Sequence, residues 1–214
     1  MEKLISGVAQ FQKNVLLENK ELFESLSTSQ SPEVLFITCA DSRIDPSLIT
    51  QTLPGDLFIC RNAGNIVPPH SNTSEGMTAS IEYAVSVLDI KHIVICGHTN
   101  CGAMKGVLAP ETVKPLPHVT NWLSFCDAAQ AKIKARHGNL DEEHLLEVTQ
   151  ENILLQLKHL ETHPSVAAKL ATNNIELHGW IYDIASGGVS CYHDQQQAFL
   201  PIDECYADTH SNNN

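Results

Sequence analysis

Apolar residues near the start of the chain recur at helical spacing. Leu4, Ile5, Val8, Phe11, Val15, Leu16 and Phe23 fall on one stripe within residues 4–26, which predicts an amphipathic N-terminal helix or helix pair. The pattern then changes. Residues 27–32 read as a turn, and Val34, Leu35, Phe36 and Ile37 form a short continuous apolar run of the kind a fully buried strand carries. The runs at 57–60 and 92–96 repeat it. Asp45 before Pro46 predicts a helix start, with the aspartate as cap and the proline in the first turn. Helical spacing predicts further helices over 73–88, from near Cys101 to Leu108, over 119–137 and over 145–160, with Pro110, Pro115 and Pro117 marking a loop. Residues 175–182 and 189–193 read as later strands, separated by a turn at Ser186, Gly187 and Gly188. Strands alternating with helices predict an α/β fold with a mostly parallel central sheet flanked by helices. No internal repeat or low-complexity linker interrupts it, so residues 1–214 read as a single domain. About 1–30 is expected to be a helical arm, and about 203–214 a polar, disordered tail.

Composition narrows the class. A chain of 214 residues with 43% hydrophobic and 18% charged residues can bury one substantial core. A formal net charge of −12 argues against nucleic acid as a partner, because phosphates call for a basic surface. Seven cysteines, an odd number without dense regular spacing, do not read as a secreted disulfide scaffold. The first residues lack the basic and apolar regions of a signal peptide, and no apolar run reaches the roughly 20 residues that span a bilayer. A cytoplasmic enzyme without membrane contact is the expectation.

Three side chains then stand out as metal ligands. Cys39 lies just past the first predicted strand, and His98 and Cys101 lie just past the third. Ligands in open parallel sheets bind where strands end at their carboxyl edge, so parallel pairing would bring the three to one rim. Two thiolates and an imidazole suit zinc, and three protein ligands leave a fourth position open. A cysteine at a strand end is more often a small buried hydrophobe. Cys60, Cys96, Cys126, Cys191 and Cys205 are read that way, as core or incidental thiols, and His118, His144 and His159 as surface or structural residues. Cys39, His98 and Cys101 differ because Asp41 and Arg43 accompany them.

The segment Cys39-Ala40-Asp41-Ser42-Arg43, taken with His98-Thr99-Asn100-Cys101-Gly102, resembles the β-class carbonic anhydrases. The likeness continues through Gly55 to Phe58, Arg61 to Asn65, Glu82 to Ala84 and Met104 to Gly106, and covers roughly residues 4 to 200. His178 to Tyr182 and the long N-terminal helix are similar to the plant-like cyanobacterial branch, which includes carboxysomal members. The resemblance implies one zinc ion per chain on Cys39, His98 and Cys101. It implies reversible hydration of carbon dioxide to bicarbonate and a proton. Zinc lowers the pKa of bound water toward about 7, which makes a zinc-bound hydroxide available. Thiolate ligands reduce the net charge on the metal, so the optimum is expected somewhat above neutral pH. The resemblance further implies an Asp41–Arg43 pair that orients the water, and a closed arrangement in which Asp41 becomes the fourth ligand. Gln30, Phe58, Tyr83 and the backbone amide of Gly102 match the family's substrate pocket. That pocket forms at a dimer interface, so Gln30 and Tyr83 would serve the neighbouring zinc. A homodimer or larger assembly follows, with N-terminal helices packed on the partner subunit. Carboxysomal relatives use a long C-terminal extension for shell or scaffold contacts, so the resemblance makes such proteins candidate partners.

Two departures qualify the comparison. Bicarbonate-regulated members carry a tryptophan where this chain has Phe36, so a constitutively open site is expected even though Arg61 is present. A histidine that exports the proton in some plant enzymes is replaced by Val87, which leaves His92, other surface groups or buffer for that step. Two other readings share the same ligands: hydrolysis of carbonyl sulfide or carbon disulfide, and a zinc scaffold without turnover. Asp41, Arg43 and Gln30 disfavour the scaffold, which has no use for an orienting carboxylate.

Overall fold

The short apolar runs pair into one sheet whose strand order explains where the chemistry lies. In the computed structural model, which describes residues 1–72 and 75–207, the strands are β1 (Val34–Cys39), β2 (Leu57–Asn62), β3 (His92–His98), β4 (Glu176–Tyr182), β5 (Val189–His193) and β6 (Ala198–Pro201). They lie in the order β2-β1-β3-β4-β5-β6. The first four pair in parallel, and β5 and β6 are antiparallel additions. From β1 the chain steps outward to β2 and then crosses back to place β3 on the other side of β1. The strand order therefore reverses between β1 and β3, the position at which open parallel sheets form a crevice at their carboxyl edge.

Both faces of the central strands are buried, as their unbroken apolar runs predict. Leu35, Ile37, Ile93 and Ile95 pack with Ile81, Ala84 and Val85 of the Gly76–Ser86 helix and with Ile153 and Leu160 of the Leu145–Glu161 helix. Phe36, Val94 and Cys96 pack on the opposite face with Leu57, Trp180 and Tyr182. The Leu145–Glu161 helix presses closely on the sheet at Gly97, where an added Cβ would sit 2.9 Å from Ile153 Cδ1. Glycine is what permits that approach.

The chain divides into two units, Met1–Ser31 and Pro32–Asn214. The first consists of the Glu2–Gln10 helix, a π-helical turn at Phe11–Val15, a short Leu16–Glu18 turn and the Lys20–Leu26 helix. Phe11 and Phe23 meet edge to face at 5.7 Å. Its stripe is exposed, with Leu4 at 67%, Ile5 at 63% and Val8 at 58%.

Several elements differ from the sequence expectation. The helix expected over 119–137 is broken into Pro117–Leu123, a 3-10 turn at Ser124–Cys126 and Asp127–His137. Ser124 Oγ donates to the Asn121 carbonyl at 2.7 Å, an alternative to regular helical bonding that serine offers. The helix expected over 73–88 begins at Gly76, and Thr73 and Ser74 lie outside the described residues. The tail expected from Asp203 opens instead with a helical turn, Ile202–Cys205, and residues 208–214 lie outside the described residues. Cys191 and Cys205 pair as a disulfide with Cα atoms 6.3 Å apart, which corrects their reading as incidental thiols. That turn packs against β5 and brings two cysteines from separate elements within bridging range. Asp45 caps the Pro46–Thr50 helix as expected, accepting from the Leu48 amide. No described helix is long and apolar enough to cross a membrane.

Candidate metal centre

Cys39 ends β1, His98 ends the neighbouring β3, and Cys101 directly precedes the Gly102–Leu108 helix. Parallel pairing of β1 with β3 thus converts a long sequence separation into a single cluster at the switch point. All three residues are buried, and their ligand atoms lie within 4.8 Å of one another. The two sulfurs are 4.0 Å apart. Tetrahedral zinc with bonds of about 2.3 Å to each sulfur sets that distance at about 3.8 Å. His98 Nδ1 pairs with the Thr99 carbonyl at 2.9 Å, which makes it the protonated nitrogen. Among the described residues, His98 Nε2 is buried without a hydrogen-bond partner. A buried imidazole lone pair facing two sulfurs fits a soft metal ion, and zinc first among them.

The electrostatics agree with that fit. A hydrogen bond from Cys101, with help from His98 and the Gly64 amide, holds the Cys39 thiol well below its ordinary pKa against the opposing effect of burial. The same contact with Cys39, together with burial, pushes Cys101 far up. The pair therefore keeps one proton between its sulfurs. Burial pulls the His98 ring down, but Cys39, the Thr99 carbonyl and Asp41 outweigh it and leave a net rise. The Gly64 amide lies 3.4 Å from Cys39 Sγ, on backbone at φ +82° that favours glycine.

Asp41 faces the ligands while gripped by Arg43. Its Oδ1 accepts from Arg43 Nε at 2.9 Å and from the Arg43 amide at 3.0 Å, and its Oδ2 accepts from Arg43 Nη2 at 2.7 Å. Oδ2 lies 3.9 Å from His98 Nε2. The Arg43 guanidinium holds the Asp41 carboxyl well below the usual carboxylate range. Arg43 Nη2 also reaches the Asn100 carbonyl at 3.2 Å and so ties the two ligand-bearing loops together.

Three further residues shape the site and were not picked out from the sequence in this role. Arg61 donates to the carbonyls of Cys39 (3.1 Å) and Asp41 (2.7 Å), clamping the loop that carries both. Asn152 Nδ2 donates to the Gly64 carbonyl at 3.0 Å, and Gln156 Nε2 donates to Asn152 Oδ1 at 2.8 Å. Both amides are buried. Two amides spaced i, i+4 among the apolar residues of a predicted helix were the signal available for them, since buried polar groups must be bonded.

The expected pocket residues are distributed differently. Gly102 adjoins Cys101 as the first residue of its helix, and an added Cβ there would meet nothing within 4 Å. Phe58 and Tyr83 meet each other, with ring centroids 6.1 Å apart. Phe58 is level with Leu35, however, whereas Cys39 is level with Asn62. Four residues of strand, about 13 Å, separate those levels within one chain. Gln30 is exposed and belongs to the first unit. His92 opens β3 while His98 closes it. Six residues of strand, about 20 Å, therefore separate His92 from its own chain's His98. Val87 is 63% exposed.

Comparison with known proteins agrees with this geometry. Residues 34–189 match the carbonic anhydrase family. A carbonic anhydrase of Synechocystis sp. is 45% identical over 90% of this chain and 71% of its own length. One from Pseudomonas aeruginosa is 41% identical over 95% and 93%. Among solved structures, the β-carbonic anhydrase CcaA superimposes with a TM-score of 0.90 at 43% identity, covering 94% of this chain and 98% of that one. A tetrameric β-carbonic anhydrase from Sordaria macrospora gives 0.79 at 32% identity, covering 89% and 95%. The chain belongs to the β class of the carbonic anhydrase family.

Proposed function

We propose that this chain hydrates carbon dioxide reversibly to bicarbonate and a proton at a zinc ion held by Cys39, His98 and Cys101. The observation that carries the reading is the buried, unpartnered His98 Nε2 beside two sulfurs, with Asp41 Oδ2 at 3.9 Å. When bound, zinc supplies the Lewis acidity that lets water deprotonate near neutral pH. Asp41 accepts a hydrogen bond from the reacting water and aims its lone pair at the substrate carbon. Arg43 keeps Asp41 ionised and fixes its rotamer through paired hydrogen bonds. That grip on both oxygens of Asp41 favours the open arrangement, in which Asp41 would stay with Arg43 and off the metal. Gly102 offers its amide to a substrate oxygen.

The site is completed by a second copy of the chain. Phe58 sits too far along β2 to line its own chain's centre, and Tyr83, which meets it from the Gly76–Ser86 helix, is 44% exposed beside that edge strand. They form an apolar wall over the neighbouring subunit's metal. The Sordaria relative is described as tetrameric, which supports a homo-oligomer here. A cytoplasmic or carboxysomal address is the finer reading of the cyanobacterial likeness, and co-purification with shell components tests the latter.

Stopped-flow hydration assays on the zinc-loaded protein, across neutral and mildly alkaline pH, test the reaction. Activity should rise with pH and fall by about 100-fold or more in Asp41→Asn, the range expected when a positioned proton acceptor is lost. One zinc per chain with no hydration at any pH would overturn the assignment, and turnover of carbonyl sulfide alone would redirect it.

A further inference from the structure

A second group of metal-type donors lies at the opposite edge of the same sheet. His92 opens β3 and Glu176 opens β4, and the two are register partners; His178 follows two residues later, level with Val94. Residues two apart on a strand share a face, so all three side chains project on one side. His92 Nδ1 lies 3.1 Å from His178 Nε2 and 3.4 Å from Glu176 Oε2, and His178 Nε2 lies 3.7 Å from that oxygen. Three ligand atoms from three residues thus converge within 4.8 Å.

The surroundings favour a ligand role over a plain ion pair. Among the described residues no lysine or arginine pairs with Glu176, and the adjacent Lys91 is engaged by Asp89 at 2.6 Å. The other ring nitrogen of His178 is bonded to the Tyr206 hydroxyl at 2.9 Å, which also accepts from Trp180 Nε1 at 3.2 Å. Outer hydrogen bonds of this kind fix the ring and tautomer of metal-binding histidines. The cluster opens on a cavity of about 630 Å³ floored by Val34, Phe36, Leu57, Val94 and Trp180. A comparable set, His137, His144 and Glu147, is weaker because Arg136 already occupies Glu147 at 2.8 Å.

We propose that His92, Glu176 and His178 form a second site for a divalent transition metal, with the open coordination position facing the cavity. Two imidazoles and one carboxylate suit zinc, cobalt or nickel over magnesium or calcium, which prefer all-oxygen sets. Its distance of about 20 Å along β3 from His98 makes it independent of the cysteine centre.

Titrating cobalt(II) into the zinc-loaded full chain tests this. One further equivalent should bind, giving ligand-field absorption without the intense sulfur-to-cobalt charge transfer that entry at Cys39 and Cys101 would produce. His92→Ala, whose side chain is 40% exposed, and His178→Gln should each weaken that equivalent by more than about tenfold. His178→Gln should keep its cysteine-site zinc and its hydration rate. The proposal is overturned if the only cobalt bound shows sulfur charge transfer, or if the added equivalent binds both variants as tightly as the parent.

Discussion

His98 has both nitrogens assigned by its neighbours. The Thr99 carbonyl takes the Nδ1 proton, so the Nε2 lone pair points among the sulfurs. Cys39, held low, is ionised at neutral pH, whereas Cys101, pushed high, keeps its proton. Metal binding must therefore displace about one proton from the sulfur pair, and affinity should rise with pH from neutrality upward until Cys101 ionises unaided. Competition against a chelator should show zinc binding roughly tenfold tighter per pH unit through that window. A flat profile would mean that both thiols are already ionised. Asp41 does not contribute to this slope: its carboxyl, depressed by Arg43, is charged throughout the window.

The elements place these residues through contacts that are narrow in tolerance. Gly97 sits under the Leu145–Glu161 helix with Ile153 and Thr149 against the space a methyl would need. Gly97→Ala should cost about 1–3 kcal/mol by overpacking, read as a lower urea midpoint with unchanged m-value. An unchanged midpoint would show that the helix can shift outward freely. β1 and β3 were legible because an apolar run buried on both faces has few other readings, β4 and β5 because the turn at Ser186–Gly188 separates them, and the metal triad because short turns follow β1 and β3. Other parts were not. β6 is a short half-buried edge strand, and Pro164–Leu170 is a brief helix without a full apolar period. The break at Ser124 depends on a side-chain hydrogen bond that periodicity does not record. Arg61 was visible as a residue, but its clamp on the Cys39 and Asp41 carbonyls depends on β2 lying beside β1. The resemblance assigned Gln30 and Tyr83 to the neighbouring zinc, whereas the distance of Phe58 from its own chain's Cys39 needed the β1–β2 register.

At the scale of the whole molecule, association is the property most exposed to test. The first unit presents Leu4, Ile5 and Val8 to solvent, a stripe of the kind that marks an interaction surface. Replacing Leu4 and Ile5 with aspartate should lower the sedimentation mass of the full chain and reduce hydration in parallel, if partner-supplied residues complete each site. Full activity in a monomeric variant would contradict the shared-site reading. The position of the centre at the β1–β3 switch point has a further consequence, for how the protein is made. Its ligands come from strands whose pairing is non-local, so no early fragment ending before β3 can hold the metal with all three donors. Capture by all three donors must wait until the chain through Cys101 has been made, about half its length. Zinc bound there ties β1 to β3, and its uptake by a refolding chain would report on that pairing.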